Sequence, residues 1–131
     1  MRTVNKIIVH CSDSDVPAHD NVETIRKWHV DENGWKDIGY HFIITNNGEV
    51  HKCRPVESVG AHTIGENSKS IGICLTGKNN FTGDQYFSLA WLCRDLLDNY
   101  EGIEGIYPHR DYAPDKTCPN FNLKVFNIQT D

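Results

Sequence analysis

Three short, largely apolar runs, Ile7 to Val9, Ile71 to Leu75 and Gly105 to Tyr107, are each followed at once by polar or turn residues. Runs of this length are too short for buried helices and read as strands covered on both faces. The first ends at His10-Cys11, the second at Thr76-Gly77 and the last at Pro108-His109. Side chains alternate across a strand, so His10 and Cys11 point to opposite faces and only one of them can serve a given site.

The segments between these runs supply helices and a hairpin. Val22, Ile25 and Trp28 recur at helical spacing after Asp20, with Glu23 three positions on and Asn33-Gly34 as a stop, which predicts a helix of about three turns capped by Asp20. Phe42 to Thr45 and Glu49 to Lys52 flank Asn46-Asn47-Gly48 and form a hairpin whose turn residues accept positive φ. Thr82 and Gln85 make a capping box, and Tyr86, Leu89, Ala90, Cys93, Leu96, Leu97 and Tyr100 share one helical face that ends near Gly102. Strands alternating with two amphipathic helices, plus one hairpin, predict an α/β fold: a single domain over 1–131 with a mixed parallel and antiparallel central sheet and helices packed on its faces.

A chain of 131 residues buries a core without disulfide staples. Its five cysteines, Cys11, Cys53, Cys74, Cys93 and Cys118, are odd in number and irregular in spacing, so no disulfide framework is expected. With 13 Lys and Arg against 18 Asp and Glu, the formal charge is −5 and no run of like charge occurs, which argues against general binding to nucleic acid or anionic membrane. The polar start, Met1 to Lys6, runs straight into a strand and does not read as a secretory signal. No segment approaches the roughly 20 apolar residues of a membrane span.

Seven histidines are a rich supply. His19 and His51 read as solvated or turn-bound, and His29, beside Trp28 on the first helix, reads as packing or capping. Taken singly, His10 and His109 are hydrogen-bonded residues at strand ends. With Cys118, in the Asp-, Pro- and Lys-rich loop after His109, they become a candidate zinc set, because strand ends and the adjoining loop converge at one edge of an α/β sheet. Two neutral imidazoles and one thiolate hold Zn²⁺ while leaving a fourth tetrahedral position for water, the arrangement of a hydrolytic site.

Four blocks, IIVHCS at 7–12, RKWHVDENGWKDIGYHFIITNNGEV at 26–50, VGAHTIGENSKSIGICLTG at 59–77 and PHRDYAPDKTCPNF at 108–121, carry a resemblance that spans nearly the whole chain. In this order they resemble the zinc-dependent N-acetylmuramoyl-L-alanine amidases of the second type, which include small phage lysozymes of amidase specificity and animal peptidoglycan-recognition proteins. The resemblance implies that His10, His109 and Cys118 are metal ligands and that Tyr40 and Lys116 are the catalytic pair. It makes His62 a groove residue and His41 a substrate-binding or supporting residue. Other branches place a glutamate where this chain has Cys74, and the branch with tyrosine in GYHF dispenses with it. Asn120 replaces a common glycine, with little consequence expected.

The implied substrate is the amide between the lactyl group of muramic acid and L-alanine in peptidoglycan. The implied setting is a monomeric phage endolysin held in the host cytoplasm until lysis. Some small phage relatives also bind the phage RNA polymerase, a second partner the resemblance allows; a wall-binding module without catalysis is the contrasting reading.

Overall fold

The computed structural model describes residues 2–123. Five strands form one sheet: β1 (Lys6–Cys11), β2 (Phe42–Ile44), β3 (Val50–Lys52), β4 (Ser70–Leu75) and β5 (Gly105–Pro108). Their spatial order is β3-β2-β4-β1-β5. β1 lies parallel to both β4 and β5, β2 is parallel to β4, and only the β2–β3 hairpin is antiparallel. The mixed sheet expected from the sequence is thus present, with the two strands that carry His10 and Cys74 at its centre and in register with each other.

Alternation along the strands sorts the two faces. Ile7 and Val9 of β1, Phe42 and Ile44 of β2, and Ile71, Ile73 and Leu75 of β4 cluster with Leu89, Leu92, Cys93 and Leu96 of the long helix α2 (Gly83–Asn99). Each such aliphatic side chain, fully buried, contributes roughly 1.5–3 kcal/mol. On the opposite face Ile43 and Cys74 pack with Ile25 of α1 (Val22–Arg26) and with Ile38. That second cluster is smaller, and the rest of its face is given to the site.

The capping box of α2 is present: the Thr82 hydroxyl accepts from the Gln85 amide at 3.1 Å, and the Gln85 side chain accepts from the Thr82 amide at 3.0 Å. Gln85 is fully buried, and its Nε2 also donates to the Ile44 and Thr76 carbonyls. One side chain therefore starts the helix and ties it to the ends of β2 and β4.

The first helix departs from expectation at its start. Its N-cap is Asn21, whose side chain accepts from the Thr24 amide at 2.8 Å. Asp20 instead accepts from the Asn46 amide and the Thr76 hydroxyl, joining the hairpin turn to the end of β4. A carboxylate with two tertiary donors in reach outcompetes its use as a local cap, a preference that spacing does not encode. Beyond Arg26 the helix widens into a π-helical segment, Lys27–Glu32, and this segment carries Trp28 and His29 into the wall of the cleft described next.

Candidate active site

His10 lies near the C-terminal end of β1 on the face away from α2, and it is almost fully buried. β5 delivers His109 directly after its last residue, at the opening of a 3₁₀ turn, His109–Asp111. The following loop returns Cys118 to the same edge, where the Arg110 amide donates to the Cys118 carbonyl at 2.9 Å and the Arg110 guanidinium braces Pro119 and Phe121 carbonyls. One donor atom each from His10, His109 and Cys118 lie within 4.8 Å of one another.

Donor atoms around a tetrahedral ion with bonds of roughly 2.0–2.3 Å lie about 3.3–3.7 Å apart. The observed spread of up to 4.8 Å is slightly wider than that, and modest side-chain rotations would bring the three donors to metal-binding distances. Burial first, then the neighbouring His62, His109 and His29, hold His10 well below its usual pKa, and burial followed by Lys116 lowers His109. Both rings are thereby kept in the neutral state that ligates. The Cys118 thiol is raised, by its hydrogen bond with the Cys11 thiol and then by burial; a directly bonded divalent cation overrides such neighbours and deprotonates a coordinating thiol.

Cys11 is not in the donor set, in keeping with its opposite parity to His10 on β1. Its amide nevertheless donates to Cys118 Sγ at 2.8 Å. A backbone donor of this kind leaves no trace in the sequence, because every residue except proline carries one.

The three donors open onto a cleft of about 540 Å³ that Tyr40, Lys116, Trp28 and His29 help to line. The Tyr40 ring lies 5.1 Å from that of His10. Burial, then the nearby thiols of Cys74 and Cys118, push the Tyr40 hydroxyl well above its usual pKa, so at neutral pH it is a phenol that donates a hydrogen bond. His29 accepts from the Gly39 amide at 2.9 Å, which fits the packing role expected for it.

A second groove of about 520 Å³ meets the first at His109, Asp115 and Lys116, and is lined on its other side by Trp35, His62 and Ile64. His62 touches this groove by one edge, while its ring nitrogens face inward to His10 and Ser70. His41 lines neither cleft. It is buried, its Nδ1 accepts from the Gly72 amide at 3.0 Å, and its Nε2 faces the Ser58 carbonyl at 2.8 Å and Arg2 at 3.0 Å.

Thr63, Ser70 and Gly72 surround His62. Two common hydroxyls and a glycine that has no side chain carry no functional signal in the sequence until the fold sets them beside a histidine.

Residues 1–121 match the family model described as N-acetylmuramoyl-L-alanine amidase. The endolysin of Enterobacteria phage T3 is 44% identical over 130 residues, covering 93% of this chain and 84% of that protein. Peptidoglycan-recognition protein SC2 of Drosophila melanogaster is 35% identical over 107 residues, covering 78% of this chain and 58% of that protein. Among solved structures, the N-acetylmuramoyl-L-alanine amidase LysC from Clostridium intestinale superposes with a TM-score of 0.84 at 31% identity, covering 96% of this chain and 84% of that one. A matched model over nearly the full length, with the donor set and cleft in place, assigns the chain to the N-acetylmuramoyl-L-alanine amidase family.

Proposed function

We propose that this chain is a zinc-dependent endolysin that hydrolyses the amide between the lactyl group of muramic acid and L-alanine in bacterial peptidoglycan. The observation that carries the reading is the convergence of His10, His109 and Cys118 within 4.8 Å at the floor of a cleft that Tyr40 and Lys116 also line. Family membership and likeness to a phage endolysin support amide hydrolysis in the wall. The endolysin reading carries with it release from the host cytoplasm at lysis.

Two imidazoles and a thiolate are a donor set zinc favours, and three protein ligands leave a tetrahedral position for reacting groups. Zinc bound there would supply a Lewis acid and would bring the pKa of water down to about 7. The chain's own residues do the rest. Lys116, exposed on the loop that lines the cleft, brings a positive charge to the side where the scissile carbonyl oxygen gains negative charge as the tetrahedral state forms, and an ammonium there stabilises that charge. Tyr40, protonated at neutral pH, orients the attacking water by a hydrogen bond and relays a proton, giving its own to the departing alanine nitrogen and taking up the one the water loses, so that the phenol is restored. Cys74, the residue beside His10 across the sheet, supplies no carboxylate, so Tyr40 has no acidic competitor there.

The two grooves meeting at His109 and Lys116 give the substrate's two halves separate walls: one cleft is polar around the metal donors, the other carries Trp35 and Ile64 for packing against sugar or stem peptide. Digestion of purified peptidoglycan with release of free L-alanine amino termini, its arrest by a chelator and its return on adding zinc test the reading. Release of reducing sugar ends instead, or full activity in the stripped protein, would refute it.

A further inference from the structure

His62 faces the substrate groove by sequence expectation, yet its hydrogen bonds lead elsewhere. The Ser70 hydroxyl donates its one proton to the Glu66 carbonyl at 2.8 Å. Its oxygen, 3.3 Å from His62 Nε2, is then left to accept, which puts the His62 proton on Nε2. The Nδ1 of His62 is therefore an acceptor, and it lies 2.9 Å from His10 Nε2. It follows that His10 carries its proton on Nε2, which leaves Nδ1 as the ring nitrogen with a lone pair free to ligate. The Thr63 hydroxyl, 2.9 Å from His62 Nδ1 and 3.2 Å from His10 Nε2, bridges the same pair.

The surroundings of this chain of bonds are built to hold it. The Asn67 side chain accepts from the amides of both His62 and Thr63, at 2.9 and 2.8 Å, and fixes the loop that carries them. Gly72 of β4 lies directly under the imidazole: a Cβ there would fall 2.6 Å from His62 Cγ and Cδ2, and one at Gly60 would fall 2.8 Å from Cδ2. The ring has a slot that only glycine leaves open.

We infer that His62 is a positioning residue for the metal site, fixing the tautomer and orientation of His10 through an Nε2–H···Nδ1 bond relayed from Ser70 and Glu66. A ligating histidine usually donates its second N–H to a carboxylate, a backbone carbonyl or water, and loss of that partner costs 10–100-fold in metal affinity or activity. A neutral imidazole takes that place here. The inference rests on the proposed metal site, and its tests separate the two.

Zinc affinity, measured by competition with a chromophoric chelator, should be tight for the parent protein and about 10–100-fold weaker for His62→Leu, which fills the slot without an acceptor. His62→Asn, whose amide oxygen stands near the position of Nδ1, should restore most of the loss. Equal affinity for parent and His62→Leu, or a loss in His62→Asn as large as in His62→Leu, overturns the inference. A parent protein that holds no zinc overturns the metal reading itself, and this one with it. Independently of any variant, ¹⁵N NMR of the metal-free protein should find both rings protonated at Nε2; a proton on His62 Nδ1 overturns the relay.

Discussion

Lys116 and His109 sit on one loop and line both grooves, but they are assigned unlike tasks, ligation for the imidazole and charge stabilisation for the ammonium. Lys116→Ala should therefore retain stoichiometric zinc while losing roughly 10²–10³ in turnover. Metal content and peptidoglycan hydrolysis measured on the same preparation separate the two effects, and parental turnover would remove Lys116 from the mechanism. His41 gives a prediction about stability. Burial lowers its pKa from 6.5 to about 4, so between those values the unfolded chain takes up a proton that the folded one refuses. Stability is unaffected by this group above pH 6.5 and falls as the pH drops towards 4, by up to about 3 kcal/mol. Thermal midpoints compared near neutrality and at about pH 5 should show a smaller acid loss for His41→Gln than for the parent; equal losses would exclude His41 as the source. At this scale the sequence was legible for His10, His109 and Cys118, whose chemistry is written in their side chains. It was less so for His62, whose partners Thr63 and Ser70 acquire meaning only by position.

Among the elements, β4 bears more than its apolar run implies. Ile71, Ile73 and Leu75 serve the α2 face, and Gly72 and Cys74 serve the other. Gly72→Ala should leave the strand paired but push the His62 ring aside, because a Cβ has only 2.6 Å to the imidazole. Weaker zinc binding in that variant, beyond any fall in thermal midpoint, is the expected outcome; unchanged affinity would mean that the slot is not needed. The long helix was readable from its capping box and its face of Leu89, Cys93 and Leu96, since both depend on residues near in sequence. Thr82→Ala should cost ~1 kcal/mol in a denaturant titration, with a larger loss if the Gln85 bridge to Ile44 and Thr76 loosens too. The start of α1 departs from its local pattern for the opposite reason: Asp20 is claimed by Asn46 and Thr76, both distant along the chain. The π-helical widening at Lys27–Glu32 likewise has no counterpart in hydrophobic periodicity, which fits the α-helical and wider repeats about equally over so few residues.

For the molecule as a whole, the mixed sheet and its helical layers followed from the alternation of short apolar runs with amphipathic segments, whereas the strand order β3-β2-β4-β1-β5 depends on pairings that no local pattern specifies. That order sets β1 between β4 and β5 and so brings His10 to the edge where His109 emerges. Ligand binding to the folded state alone stabilises it by about 4 kcal/mol at a free concentration a thousand times the dissociation constant. Zinc should accordingly raise the melting temperature of the parent protein and leave Cys118→Ser far less affected, as scanning calorimetry with and without chelator would read.

Cys118 meets His10 from almost the other end of the chain, so an ion gripped by both acts as a clasp fastening the last loop to the first strand. Unclasped, the Tyr112–Thr117 stretch loses its anchor on that side, and a protease added to the stripped protein should cut there first and spare the metal-loaded form.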